Sequence, residues 1–269
     1  MERKELTLQE VQQGGFEVLL KLIEIFDKHG WKYYLAYGSL IGAVRHHGFI
    51  PWDDDIDIWV PRKDYEAFVQ YCIEHEKELD YFKLMHYKTN KDYPYVLARF
   101  ADTRYEIDYK GVKNYGLGLF VDIYPLDDFD PEDKAFKQKI NDMIHDLSRV
   151  KQKGENQFLN VVKFLLRPLF LWKHGCTSSA RLIEKIDKFG QKYNGKGYDY
   201  TTCTVWEVEK CPYKKEYFGD RIPIKFEGVE ILIPAAYDDI LKLYYGNYME
   251  LPPEEKRIAQ HFYKAYRKE

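Results

Sequence analysis

The sequence predicts a protein of mixed helices and strands, α+β or α/β in its first half and largely helical in its second. Three observations carry that reading. Apolar residues recur three and four apart near the start of the chain and again between Glu132 and Tyr193. Between those stretches, short aromatic and branched runs alternate polar and apolar residues with the period of a strand. The 269 residues are 45% apolar and 32% charged, enough for one large core or two modest ones and too apolar for a disordered chain.

Leu8, Val11, Leu19, Leu22, Ile23 and Phe26 give an amphipathic helix over 7–29, ended by Gly30. Trp31 to Ala36 reads as a short aromatic strand. Gly38-Ser39 then turns into a second short helix, Leu40 to Arg45, with Ser39 as its N-cap. Asp55 to Val60 alternates polar and apolar, and Pro61 stops it. Helical spacing resumes from Arg62 to Lys77, and further strands are expected at Phe82 to Tyr87, Tyr95 to Asp102 and Leu119 to Tyr124. After Pro131 come helices over Glu132 to Lys151, Gln157 to Lys173 and Ser178 to Tyr193. A strand at Val229 to Ile233, a helix at Ala236 to Tyr245 and a polar tail containing Pro252-Pro253 complete the chain. A boundary near Asp130 separates residues 1–130 from residues 131–269.

Bulk properties exclude several functions. A formal net charge of −3, from 41 basic and 44 acidic side chains, gives no field to hold a polyanion, so a nucleic-acid partner is disfavoured. The first thirty residues carry Glu2, Arg3, Lys4, Glu5, Glu10 and Glu17 and lack the apolar run of a signal peptide, so the protein is expected in the cytoplasm. Cys72, Cys176, Cys203 and Cys211 form no C-x-x-C pair, which removes support for a zinc ribbon or dithiol site. The stretch Phe158 to Trp172 is apolar all round except for Asn160, Lys163 and Arg167, and is too short to cross about 30 Å of hydrocarbon. It reads as a buried helix, or alternatively as an interfacial helix making peripheral contact with the inner face of the plasma membrane.

The chemistry concentrates in Tyr37 to Ile58, YGSLIGAVRHHGFIPWDDDIDI. On a strand, Asp55 and Asp57 share a face, and Asp53 joins them if the extension runs back that far. Two carboxylates about 4 Å apart repel by roughly 4 kcal/mol at an effective dielectric near 20, so a packed cluster requires a cation, and Mg²⁺ or Mn²⁺ suits oxygen ligands. The competing reading is a solvated acidic turn, which the flanking Trp52 and Trp59 weaken. An EF-hand fails because its sixth position is Ile58 and its twelfth Asp64. A second acidic strand, Phe120 to Tyr124, sets Asp122 opposite Val121 and Ile123, and an acid in that setting needs either a shared metal or a basic partner such as Arg99.

A Gly-Ser turn opening a helix, a D-x-D strand and a later acidic strand together resemble the nucleotidyltransferase fold of the polymerase β type. More closely, GSLIGAVRHHGFIPWDDDIDI, FVDIYPLDD and YGNYMELPPEEKR resemble the LicD family, related to the fukutin group, over Tyr37 to about Arg257. The resemblance implies an α+β fold with a polymerase β-like nucleotidyltransferase core, a mixed sheet flanked by helices, in residues 1–130. Residues 131–269 would be a helical acceptor- or donor-binding region completing a single domain. It also implies that Asp55, Asp57 and Asp122 coordinate a catalytic Mg²⁺ or Mn²⁺ with Asp53 close by, and that Asp122 accepts the proton of the acceptor hydroxyl. Gly38 and Ser39 would offer donors to the donor phosphates at a helix start. Arg45, His46, Lys256 and Arg257 are candidate phosphate contacts, each also readable as a solvated charge. The implied activity is transfer of phosphocholine from CDP-choline to a hydroxyl of a cell-surface glycan precursor, of teichoic acid or lipopolysaccharide type and free or lipid-linked. Transfer of phosphoribitol or another phospho-polyol is the alternative, and a catalytically silent choline- or glycan-binding protein a third reading. The 24 tyrosines lean toward choline, because aromatic faces hold quaternary ammonium groups.

Overall fold

A computed structural model describes residues 4–109, 115–151, 157–206, 208, 210, 212–259 and 263–268, with backbone alone for 109, 157–160 and 162–164. The first helix, α1 (Leu8–His29), begins at a capping box in which the Thr7 hydroxyl accepts from the Glu10 amide and the Glu10 carboxylate accepts from the Thr7 amide. It ends at Gly30, whose left-handed φ of 68° closes the last turn. Strand β1 (Tyr34–Leu35) leads into α2 (Tyr37–Ile41), which runs on as a π-helical turn at Gly42–His46. Ser39 therefore lies inside this helix, not at its start, and the cap position falls to Ala36, which offers no side-chain hydrogen bond.

Strand β2 (Asp57–Pro61) is followed by α3 (Arg62–Glu74), β3 (Phe82–Met85), β4 (Ala98–Asp102), β5 (Tyr105–Tyr109) and β6 (Leu119–Phe129). Then come α4 (Lys134–Lys151), α5 (Gln157–Lys173), α6 (Ser179–Gly190), β7 (Tyr200–Thr202), β8 (Tyr213–Lys214), β9 (Arg221–Phe226), β10 (Val229–Pro234), α7 (Tyr237–Tyr245) and β11 (Tyr263–Arg267). The protein is thus α+β, with a mixed sheet and seven α-helices among the described residues. Strands run in the order β1-β2-β6-β4-β3; β2 and β6 are parallel and the other neighbours antiparallel. The polar tail contains a strand, β11, which pairs with β5, and Lys256 sits on a single 3₁₀ turn (Glu254–Lys256).

β6 is eleven residues long and serves three partners in succession: β4 at its start, β2 in its middle and β7 at its end. One face of the central sheet is covered by α1 and α3 through Phe26, Phe68 and Phe100, with ring centroids 5.0 and 5.6 Å apart. The other face presents Asp57, Trp59, Asp122, Tyr124 and Arg99.

Segments from beyond residue 130 return to this core. The Arg62 guanidinium, at the start of α3, donates to Asp127 at 2.8 and 2.7 Å and to Asp187 of α6 at 2.9 Å. Asn194 and Thr204 donate to the same Asp127 carboxylate, and Tyr87 to Asp187. All three charged groups are buried, so their mutual pairing is what makes the burial tolerable. No described helix is long and apolar enough to cross a membrane.

Arg62→Ala should leave Asp127 and Asp187 buried without their cation. The expected loss is about 3–5 kcal/mol in urea unfolding, against less than about 0.5 kcal/mol for the exposed Lys63→Ala.

Candidate active site

Because β2 and β6 are parallel and in register, Asp57 lies directly beside Asp122, and because β6 and β4 are in register, Asp122 lies directly beside Arg99. Paired positions on adjacent strands point to one face. A row of two carboxylates and one guanidinium therefore crosses three strands. The Arg99 Nε donates to Asp122 at 2.6 Å and its Nη2 at 3.4 Å, while the guanidinium lies between the rings of Tyr95 and Phe120, 4.7 and 4.2 Å from their centroids. Of the two partners open to Asp122, the basic one is thus in place.

Asp57 is 7% exposed, and its Oδ1 is buried with no hydrogen-bond partner. Burial pushes its carboxyl well above the ordinary carboxylate range, and the charges of Asp55, Asp122 and Asp53 push it the same way, opposed by a hydrogen bond from Tyr124. Its backbone amide donates to the Ser39 hydroxyl oxygen at 2.9 Å, so Ser39 ties the acidic strand to α2.

The strand begins at Asp57, so Asp53 and Asp55 are not strand residues as the alternating pattern suggests; they lie in the loop that precedes it. There Asp53, Asp54 and Asp55 bring carboxylate oxygens within 4.8 Å of one another. The alternation leaves Asp54 out. Gly38 belongs to the same construction: a Cβ there would stand 2.7 Å from the Asp53 carboxylate.

The loop is held from four distant parts of the chain. The Gln12 side chain donates to the Asp53 carbonyl at 2.8 Å, and the Tyr263 hydroxyl to the Asp54 carbonyl at 2.9 Å. The Glu227 carboxylate, at the β9–β10 turn, accepts from the Phe49 amide at 3.0 Å. Arg45 donates to the carbonyls of Tyr248 at 2.6 Å and Glu250 at 3.2 Å, and through Nε to His46. Burial and the Arg45 charge hold His46 below its usual range, so it is neutral at neutral pH. Arg257 donates to the Pro252 carbonyl and sits 5.8 Å from the ring of Trp52, beside the acidic loop, whereas Lys256 is exposed. Of these supports only Arg45, His46, Lys256 and Arg257 stand out in the sequence. Gln12 carries a faint signal, a polar residue on the buried stripe of α1; Glu227 and Tyr263 carry none.

Next to the carboxylates Tyr37 is held at a φ of 45°, a strained value for a bulky side chain, with its ring edge-on to Trp59 at 4.8 Å and Tyr124 at 5.1 Å. Tyr124 in turn meets the ring of Trp206 at 5.9 Å.

Fold and site together define an α+β protein with a buried acidic row beside an acidic loop. Residues 30–158 match the family model described as LicD/FKTN/FKRP, nucleotidyltransferase domain. The chain is 31% identical to the Haemophilus influenzae lipopolysaccharide cholinephosphotransferase LicD over 98% of its own length and 99% of that protein's. It is also 33% identical to the Rickettsia typhi uncharacterized protein RT0683 over 48% of this chain and 37% of that one. A further match, 40% identical, is to the human ribitol 5-phosphate transferase FKRP over 16% of this chain and 9% of that one. The chain belongs to the LicD family, and it is a transferase of phosphate-containing groups.

Two features fit a hard divalent cation: the grouped carboxylate oxygens of Asp53, Asp54 and Asp55, and, on the adjoining strand, the Asp57 Oδ1 that is buried without a partner. The raised Asp57 carboxyl also makes a stability prediction. A carboxyl that titrates higher in the folded state than in the unfolded one favours folding when protonated, and that contribution is lost as pH rises from the ordinary carboxylate range through the raised value. In a chelator, wild-type stability should therefore fall as pH rises above the ordinary carboxylate range. Asp57→Asn should flatten that slope and be the more stable protein at neutral pH, as read by urea unfolding at a series of pH values.

Proposed function

We propose that this protein transfers phosphocholine from CDP-choline to a hydroxyl of a cell-surface glycan precursor, of lipopolysaccharide or teichoic acid type. The carrying observation is the buried Asp57 carboxylate, with its unpartnered Oδ1, in register with Asp122 and within the field of Asp53 and Asp55. Similarity to the Haemophilus cholinephosphotransferase along nearly the whole chain supports choline as the transferred group.

Asp57, Asp122, Asp53 and Asp55 would hold Mg²⁺ or Mn²⁺, with Asp54 beside them. When bound, the ion would neutralise charge on the donor phosphates as the reaction proceeds. Transfer of this kind is mostly positioning and electrostatics, and the chain supplies both. Arg99 fixes the orientation of the Asp122 carboxylate. Asp122 accepts the proton of the acceptor hydroxyl as its oxygen bonds to phosphorus, and the bond from phosphorus to the cytidine monophosphate oxygen breaks. Gly38 leaves room for Asp53, and Ser39 holds the backbone of Asp57. Arg45 is committed to the carbonyls of the tail, so its part is to brace the loop, and Arg257 is the better placed of the two tail cations for a phosphate.

In this reading residues 1–130 form a nucleotidyltransferase-like core, completed by 131–269 through β7, the Arg62 cluster and β11 as one catalytic unit. The reaction is assigned to the cytoplasm, in keeping with the buried thiols of Cys72 and Cys176.

Calorimetric titration with CDP-choline and with CDP-ribitol, each with Mg²⁺ and again with EDTA, tests the donor. Metal-dependent binding of CDP-choline alone is expected; binding of CDP-ribitol alone would move the assignment to a phospho-polyol, and binding of neither would contradict it. Asp57→Asn should lower transfer on the order of 10³-fold, the scale of losing one main electrostatic contribution to a transition state, while the protein stays folded.

A further inference from the structure

Helix α5 is apolar nearly all round, and one apolar side of it is exposed. Val161, Leu165, Leu166, Leu169 and Trp172 are between 40% and 66% exposed, whereas Leu171 is buried and Phe170 packs against the core. At about 100° per residue the five exposed residues fall within an arc of roughly 140°, with Lys173 inside it beside Leu166, Pro168 just beyond its other edge, and Arg167, Phe170 and Leu171 opposite. Among the described side chains, the expectation of a buried helix is therefore not met. A contiguous exposed apolar stripe of this kind marks an interaction site.

We propose that α5 is an in-plane anchor that seats this protein on an anionic lipid surface. Two observations select lipid over a second protein. Among the described side chains the stripe is one helix wide and five residues long, against the roughly 20–30 residues a side that a stable protein interface uses. An interfacial helix needs no more than such a stripe. The second is charge. Residues 157–173 contain no Asp or Glu but three basic residues, Lys163, Arg167 and Lys173. Lys173 and Arg149, both exposed, pair with the single buried carboxylate of Asp146 at 2.8 and 2.9 Å, two cations to one acid, so the Trp172 end of the helix keeps positive charge in excess. Leu and Trp on the embedded side with Lys and Arg at the margin is the composition that binds anionic headgroups. The inference does not depend on the identity of the donor.

The test is co-sedimentation of the full chain with vesicles of three parts phosphatidylcholine to one part phosphatidylglycerol, and with phosphatidylcholine alone. Wild type should pellet with the anionic vesicles, and less so as salt is raised. The combined variant Leu165→Gln, Leu169→Gln, Trp172→Gln, whose sites are all exposed, should keep the wild-type unfolding midpoint or exceed it and partition at least tenfold less. Wild type that stays in the supernatant, or a folded variant that pellets equally, overturns the proposal. A wild-type dimer that the same variant dissociates, seen by sedimentation equilibrium, overturns it in favour of a second copy.

Discussion

Two carboxylates fixed side by side on adjacent parallel strands are the constraint on which this structure turns. With strands about 4.8 Å apart, Asp57 and Asp122, both ionised, would repel by roughly 3 kcal/mol at an effective dielectric near 20. Register alone puts them there, and register cannot slip by one residue without turning Ile58 and Ile123 out of the core. The third member of the row, Arg99, compensates Asp122. Asp57 keeps its high carboxyl affinity for the proton and an oxygen that nothing in the described protein satisfies. Such an arrangement is costly for a chain on its own and suited to a group that brings positive charge.

The neighbourhood is built to hold that cost in place. Helix α1, the β9–β10 turn, the tail and β11 each contribute one hydrogen bond or more to the segment between Arg45 and Asp54. The strained backbone of Tyr37 persists because its ring is locked between Trp59 and Tyr124. The buried cluster of Arg62 with Asp127 and Asp187 joins α3, β6 and α6 at the far ends of the same two strands. The acidic groups are therefore preorganised by contacts that span nearly the whole sequence.

What the sequence makes legible is whatever is local. The Thr7–Glu10 capping box and Gly30 bound α1, and period-two alternation finds the core of β2 and β6. The limits of α5 follow from its apolar run, but not which side faces water, because a helix apolar nearly all round has no pattern to orient it. β5 and β11 escape a reading of the sequence because they pair with each other across most of the chain, and among their described residues each buries a single side chain, Ile107 and Ala265. Ser39 misleads for a similar reason: a serine near a helix start is an N-cap by local rule, and only the docking of β2 turns its hydroxyl to the Asp57 amide. The loop position of Asp53 to Asp55 is hidden because a D-x-D alternation cannot report where pairing starts, and the first paired residue is Asp57.

The most direct measurement is an electron paramagnetic resonance titration of free Mn²⁺ with the purified chain and its Asp57→Asn and Asp142→Asn variants. Asp142 lies on α4, away from the carboxylate row. The account predicts that wild type and Asp142→Asn remove Mn²⁺ from solution alike, and that Asp57→Asn, though folded, binds at least tenfold more weakly. Equal Mn²⁺ uptake by all three proteins would mean that the buried row is not the metal site, and would contradict the account at its centre.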